Sequence, residues 1–304
     1  DESVFIGFAA AGSGTKTNAT DGTVAIGKSS LGALTEGIGN TAIGYQALLA
    51  EDDGDHSTAV GYHALKAQTG TTGNVGNTAV GHQAATSLTT ARFSTFIGKD
   101  AGLVHTTGAY NTAIGFGAMD DTNAGANSLG SAENIFIGID AGGGTWADVA
   151  SNGNVAIGNY SMDSALNGAN SNTAVGKHSL GGLTTGDENV ALGYKAGKGV
   201  VTGIYNTFIG AESGLVGSGS AVDNNTGLGF ASLKALTSGS RNTSLGTYST
   251  QQMVNASDTV AIGYYTLANA LTSTDINGSV AIGSFSQAEN KTGISNTSVG
   301  FEAL

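Results

Sequence analysis

The chain has 304 residues, 50 of them glycine, with no proline, no cysteine, 11% charged residues and a formal net charge of −12. Collagen is excluded because the glycines follow no three-residue period, a disulfide scaffold by the missing cysteines, and disorder by low charge combined with abundant Val, Ile and Thr. The acidic balance argues against a nucleic-acid backbone or an anionic membrane surface as partner, and no apolar run approaches the roughly 18 residues of a spanning helix.

Read from the N-terminus, one motif recurs seventeen times, most often as N-T-A-I-G. Its glycines are Gly7, Gly27, Gly44, Gly61, Gly81, Gly98, Gly115, Gly138, Gly158, Gly176, Gly193, Gly210, Gly229, Gly246, Gly263, Gly283 and Gly300. Nine of the sixteen spacings are 17 residues and the others run from 18 to 23, as expected of stacked coils carrying loop insertions. No linker interrupts the series, so residues 1–304 read as a single repeat domain. The opening Asp1-Glu2-Ser3-Val4 has neither a methionine nor a leader and reads as a mature product or a segment of a longer fibre.

Each motif position has its own chemistry. The residue before the glycine is Ile, Val or Leu in every copy, and the residue three before it is β-branched in every copy, ten times Thr. Four before it stands Asn in eleven copies; two before it stands Ala in ten and Phe in four. The pattern predicts a short strand, a glycine corner and a second short strand, wound as an all-β parallel β-solenoid of about 17 coils. At roughly 4.8 Å per rung the stack would be about 80 Å long.

In seven of the nine 17-residue coils another glycine lies seven before the motif glycine, for example Gly37 and Gly186, and predicts a corner with positive φ. The Asn column reads as a structural turn ladder rather than a polar binding stripe. A volume exchange links two further columns: Phe96 goes with Gly102 and Phe136 with Gly142, whereas Ala42 goes with Leu48 and Ala59 with Leu65. Close packing predicts that these positions touch and that Ala191 with Gly197 is underpacked. Strand alternation puts the Thr/Val and Ile/Val columns on one face, expected inside the coil because it is aliphatic throughout. The Ala/Phe column is then expected outside, covered by another copy of the chain about a symmetry axis.

In chain order, the acidic run Glu51-Asp52-Asp53-Gly54-Asp55 offers ligands for a hard cation but lacks EF-hand spacing, and reads as a solvated loop. His56, His63, His82, His105 and His178 show no metal-ligand spacing and read as solvated or rim positions. Gly142-Gly143-Gly144 lacks the Lys-Ser/Thr of a phosphate loop. Trp146, eight after Gly138 in a 20-residue coil, is either packed onto the roll or a ring for sugar stacking or protein contact; it is the single binding candidate. The aromatics one after the glycine, such as Phe8, Tyr45, Tyr62 and Tyr264, share their column with Lys28, His82 and Asn159 and read as a rim. No nucleophile elbow and no repeated carboxylate pair appears, so no enzyme activity, catalytic residue, metal or cofactor is expected. Ice binding needs an exposed Thr array and is set aside, because the Thr column is expected inside.

The runs N-T-A-I-G-Y-Q-A-L (Asn40 to Leu48), S-T-A-V-G-Y-H-A-L (Ser57 to Leu65) and S-V-A-I-G-S-F-S (Ser279 to Ser286) resemble the head repeats of trimeric autotransporter adhesins, the YadA-like left-handed parallel β-roll. Similar runs occur in bacteriophage tail fibres. The resemblance covers all seventeen copies, although the adhesin repeat is shorter. It implies a left-handed β-roll assembled as a homotrimer, extracellular, at a bacterial cell surface or on a virion. The implied role is an elongated spacer and attachment surface for host cells, with a cell-surface glycan or protein receptor as partner. A bacteriophage tail-fibre shaft, or a tailspike with a host-receptor and polysaccharide-degrading role, is the alternative. Neither nucleic acid nor membrane insertion by this segment is implied.

Overall fold

The computed structural model describes residues 2–12, 20–69, 73–122, 130–217, 221–269, 276–290 and 293–304. They fall into two compact units, Asp1–Gly153 and Asn154–Leu304. Among the described residues the regular elements are short β-strands, and each copy of the motif builds one of three residues. In the first unit these run from Val4–Ile6 through Thr41–Ile43, Thr58–Val60 and Thr95–Ile97 to Ile135–Ile137. Each pairs in parallel with the next copy, residue for residue: Thr41 lies beside Thr58, Ala42 beside Ala59 and Ile43 beside Val60. A two-residue pair, Gly54–Asp55 with Gly73–Asn74, adds a second parallel contact. The second unit repeats the arrangement from Val155–Ile157 to Thr297–Val299. Each unit is a parallel β-solenoid.

The segment after the motif glycine is a run of turns, not the second strand that alternation predicts. Residues two and four after the glycine are left-handed in copy after copy, for example Gln46 (φ 54°), Leu48 (φ 50°), His63 (φ 58°) and Leu65 (φ 48°). This geometry points the N–H groups two and four after the glycine toward opposite neighbouring rungs. Gln46 N–H donates to the Lys28 carbonyl (3.1 Å), and Leu48 N–H donates to the Ala64 carbonyl (3.0 Å) on the other side. The corner therefore satisfies its buried backbone groups without strand geometry. A left-handed non-glycine residue costs roughly 1–2 kcal/mol; inter-rung bonding offsets that cost in each coil.

Two glycine columns have different causes. The motif glycines sit at φ between 123° and 145°, and a Cβ on Gly27 would lie 2.5 Å from the Gly44 carbonyl oxygen of the next rung. Gly37 and Gly186 lack the positive φ expected of them; a Cβ at either would collide with the carbonyl of the next rung, Gly54 or Gly203. Gly293 (φ 126°) is the exception. The left-handed residue of this corner comes two positions later, at Gly39 (φ 64°) or Glu188 (φ 55°).

Burial reverses the expected faces. The Ala/Phe column is the interior: Ala42, Ala59, Phe96, Phe136, Ala174 and Phe208 are fully buried within a single chain. The Thr/Val and Ile/Val/Leu columns are on the outside, half-buried or exposed in every strand. The reason is steric. Residues three and four after the glycine, such as Ala47 and Leu48, are themselves buried against the inner strand face and leave room for only a methyl group at Ala42. A ring fits where the facing residue is glycine, since a Cβ on Gly142 would lie 2.7 Å from the Phe136 ring. The exchanging positions do touch. Gly197 is not underpacked, because a Cβ there would meet Leu180 of the rung before at 2.8 Å and Phe208 of the rung after at 3.2 Å.

The Asn column is an internal ladder. Asn189 Nδ2 donates to the Gly203 carbonyl (2.7 Å) and to Asn172 Oδ1 (3.0 Å), while Asn189 Oδ1 accepts from Asn206 N–H (3.0 Å). The same exchange recurs from Asn172 to Asn242. Buried amides need partners for all their donors and acceptors, and each rung supplies them to the next.

Candidate functional site

In each unit the outer strand face is uncovered and recurs in every rung. Its two columns alternate a β-branched residue with Ile, Val or Leu and hold no charged side chain in any copy. Ile97 is 37% exposed, Ile157 39% and Leu228 40%. Ten Thr side chains lie in the other column, half-buried at Thr41, Thr95 and Thr173 and exposed at Thr226 and Thr243. The reason for setting aside an exposed Thr array is therefore overturned. A single exposed Leu needs no explanation; a column of part-exposed aliphatic side chains repeated in register is less ordinary, since monomer surfaces rarely hold large contiguous apolar patches.

The corner beside this face carries the rim of aromatic residues. In the first unit the Tyr45 and Tyr62 rings stack at 5.4 Å and Tyr62 and His82 at 5.1 Å. Lys28 Nζ lies 6.0 Å from the ring centres of both Phe8 and Tyr45, a cation between two rings. In the second unit Tyr264, Tyr265 and Phe285 form a cluster with ring centres 4.7 to 5.8 Å apart. The one-after-glycine column holds three Lys, one His and no carboxylate in seventeen copies, in a chain with 23 Asp and Glu. Stacking on rungs roughly 4.8 Å apart explains this, since rings and cations attract along the column whereas carboxylates meet ring faces unfavourably.

Trp146 does not present a ring to solvent. It is fully buried, its indole N–H donates to the Gly142 carbonyl (2.9 Å), and its ring meets Phe136 edge-on at 5.6 Å. It fills the coil interior and offers no face for a sugar. Gly142, in the glycine-rich stretch, leaves room for Phe136.

Of the histidines, His63, His82 and His178 sit in the rim as expected. His105 does not. It is fully buried, with Nε2 2.9 Å from the Gly108 carbonyl and Nδ1 3.2 Å from Thr122 Oγ1. Burial pushes its pKa down to about 4, so the ring is neutral and donates from Nε2 while Nδ1 accepts.

The acidic run is only partly a solvated loop. Glu51 is fully buried; Oε1 accepts from Gly54 N–H (2.8 Å) and Oε2 from Gln68 Nε2 (2.6 Å). Asp55 Oδ1 accepts from Ile38 N–H (2.8 Å) on the neighbouring rung. Asp52 is exposed. Carboxylate oxygens of Glu51, Asp52 and Asp53 lie within 4.8 Å of one another, so among the described residues these three could hold a cation. Burial and the adjacent Asp52 push Asp53 above the usual carboxylate range. Further along, Asp120 is pushed up to about 6, first by burial and then by Asp140.

One grouping is not apparent in the linear sequence. Lys177, His178, Lys195 and Lys198 come from two adjacent coils and converge on one corner with Tyr160 and Tyr194. Aligning the coils by their glycines would have shown it, since these residues lie one, two or five after Gly176 or Gly193. This corner offers charge and ring surface. No family model matches the chain, and no curated protein sequence matches it.

Proposed function

We propose that the chain is a segment of a trimeric surface fibre, a bacterial adhesin or the shaft of a phage tail fibre, serving as elongated spacer and attachment surface. Its left-handed winding and three-fold assembly are what the YadA-like resemblance implies. The observation that carries the proposal is the outer strand face, aliphatic in every rung, free of charge and uncovered within one chain. Three copies packed about a common axis bury that face with identical environments for each column, as a closed cyclic oligomer requires. The rim aromatics stay outside and face the host. Light scattering should give about three times 29.9 kDa, independent of dilution. A single-chain mass with a folded β spectrum overturns the proposal.

The exposed Thr column favours a second reading, an ice-binding face with hydroxyls and aliphatic groups repeated at rung spacing. Both readings use the same face, so they exclude each other. The scattering measurement separates them: a folded single chain that also slows ice growth supports the second.

A further inference from the structure

Three lysines of this acidic chain gather in one place, none of them in an ion pair among the described residues. Lys177, Lys195 and Lys198 belong to two successive coils of the second unit, whose motif strands Thr173–Val175 and Val190–Leu192 pair residue for residue. Among the described residues none of the three has a carboxylate within ion-pair distance, whereas Lys234 is paired with Glu212 (2.6 Å) and Arg241 with Asp258 (2.6 Å). Their charges converge on His178, whose pKa is lowered first by burial and then by Lys198, Lys177 and Lys195, with Asp163 opposing.

Ring surface lies within the same patch. The Tyr160 and His178 rings stack at 5.2 Å, Lys177 Nζ lies 6.0 Å from the Tyr160 ring centre, and Lys195 Nζ lies 4.9 Å from that of Tyr194. Tyr194 is 45% exposed. The bordering carboxylates are Asp163, beside His178, and Glu212, which pairs with Lys234 and also acts on Lys195.

We propose that this corner binds an acidic polysaccharide, its carboxylates or sulfates on the three lysines and a sugar ring against Tyr194. The ligand class follows from charge and shape. A chain of net charge −12 repels an extended, densely charged polyanion, and duplex DNA carries one charge per roughly 1.7 Å. An acidic glycan spreads its charges from about one per two sugars, as in hyaluronate, to about two per sugar, and brings apolar ring faces between them. The local patch of three ammonium groups and exposed rings matches that pattern. This rests on the proposed attachment role and names the ligand of that surface.

The experiment measures binding of the full chain to hyaluronate and dextran sulfate, with dextran as neutral control and duplex DNA as dense polyanion. The triple variant Lys177→Gln, Lys195→Gln, Lys198→Gln is compared with Lys28→Gln, Lys66→Gln, Lys99→Gln, which removes the same net charge elsewhere. Circular dichroism verifies that both fold. The first triple should lose about tenfold or more in affinity and most of the salt dependence between about 50 and about 200 mM, and the second about twofold or less. Tyr194→Ala should weaken binding at high salt, where the ionic contribution is screened. Equal losses in the two triples, equal binding of DNA or dextran, or no binding of either acidic glycan overturns the assignment. Absent glycan binding by a chain that remains trimeric and attaches to cells removes this inference alone; a monomeric chain that binds acidic glycans removes the trimer alone.

Discussion

At His105 the solenoid buries an imidazole where neighbouring coils place Leu88 and Thr122. Its folded pKa of about 4 lies below the ordinary 6.5, so the unfolded chain takes up the proton first as pH falls. Stability from this residue is therefore fully present above pH 6.5 and is lost as pH falls toward 4. At 1.36 kcal/mol per pH unit across that window the loss is roughly 3 kcal/mol. Asp120 acts oppositely: raised to about 6 from 3.8, it costs stability as pH rises through the same range. Whole-protein melting against pH thus mixes the two. The difference between the native chain and His105→Gln should isolate the first, with the native chain losing more stability than the variant between pH 6.5 and 4. Parallel curves would show that the imidazole is not buried neutral.

At the scale of one coil, packing is a contest for a narrow interior. Phe96 is fully buried, and Gly102 makes room for its ring. Phe96→Ala should leave a cavity costing roughly 3–5 kcal/mol, and Gly102→Leu should overpack by about 1–3 kcal/mol or more. Gly102 has φ 62°, but so nearly does Leu48 (φ 50°) at the equivalent position, so a leucine there brings no conformation new to the fold. The double variant recreates the Ala42–Leu48 pairing. It should be more stable than either single change, with a favourable coupling of roughly 1–3 kcal/mol from a four-protein melting cycle. Additive effects would mean that the ring and the facing residue do not share one space.

At the scale of the molecule the question is what covers the outer face. Ala113 is fully buried within the chain, whereas its neighbour Ile114 is half-buried and points outward. Ala113→Asp should cost several kcal/mol in any assembly state, because an unpaired carboxylate enters the coil. Ile114→Asp should cost about 1 kcal/mol in an isolated chain, the ordinary size for a single substitution, and several kcal/mol per chain where copies cover it. Melting and mass measured together distinguish these: a trimer whose Ile114→Asp variant melts far lower or dissociates has its aliphatic columns at the axis. An unaffected trimer would place the axis elsewhere.

Stacking made much of the architecture legible in advance. A residue that touches its own copy in the next rung faces the same restriction every time, so the in-register parallel pairing and the Asn ladder appear as columns of one residue type. The exchange between Phe96 and Gly102 was legible for a related reason, since volume is conserved where space is fixed. Which face is inside was not. Alternation separates Ala42 from Thr41 and Ile43 but carries no sign, and the interior is set by where the chain goes after the glycine. There the left-handed Gln46 and Leu48 bring Ala47 and Leu48 back over Ala42, a path that non-glycine residues do not announce. The same path turns Trp146 and His105 inward and, because Lys177, Lys195 and Lys198 fall at equivalent corners of stacked coils, gathers charges that are dispersed along the chain into one patch.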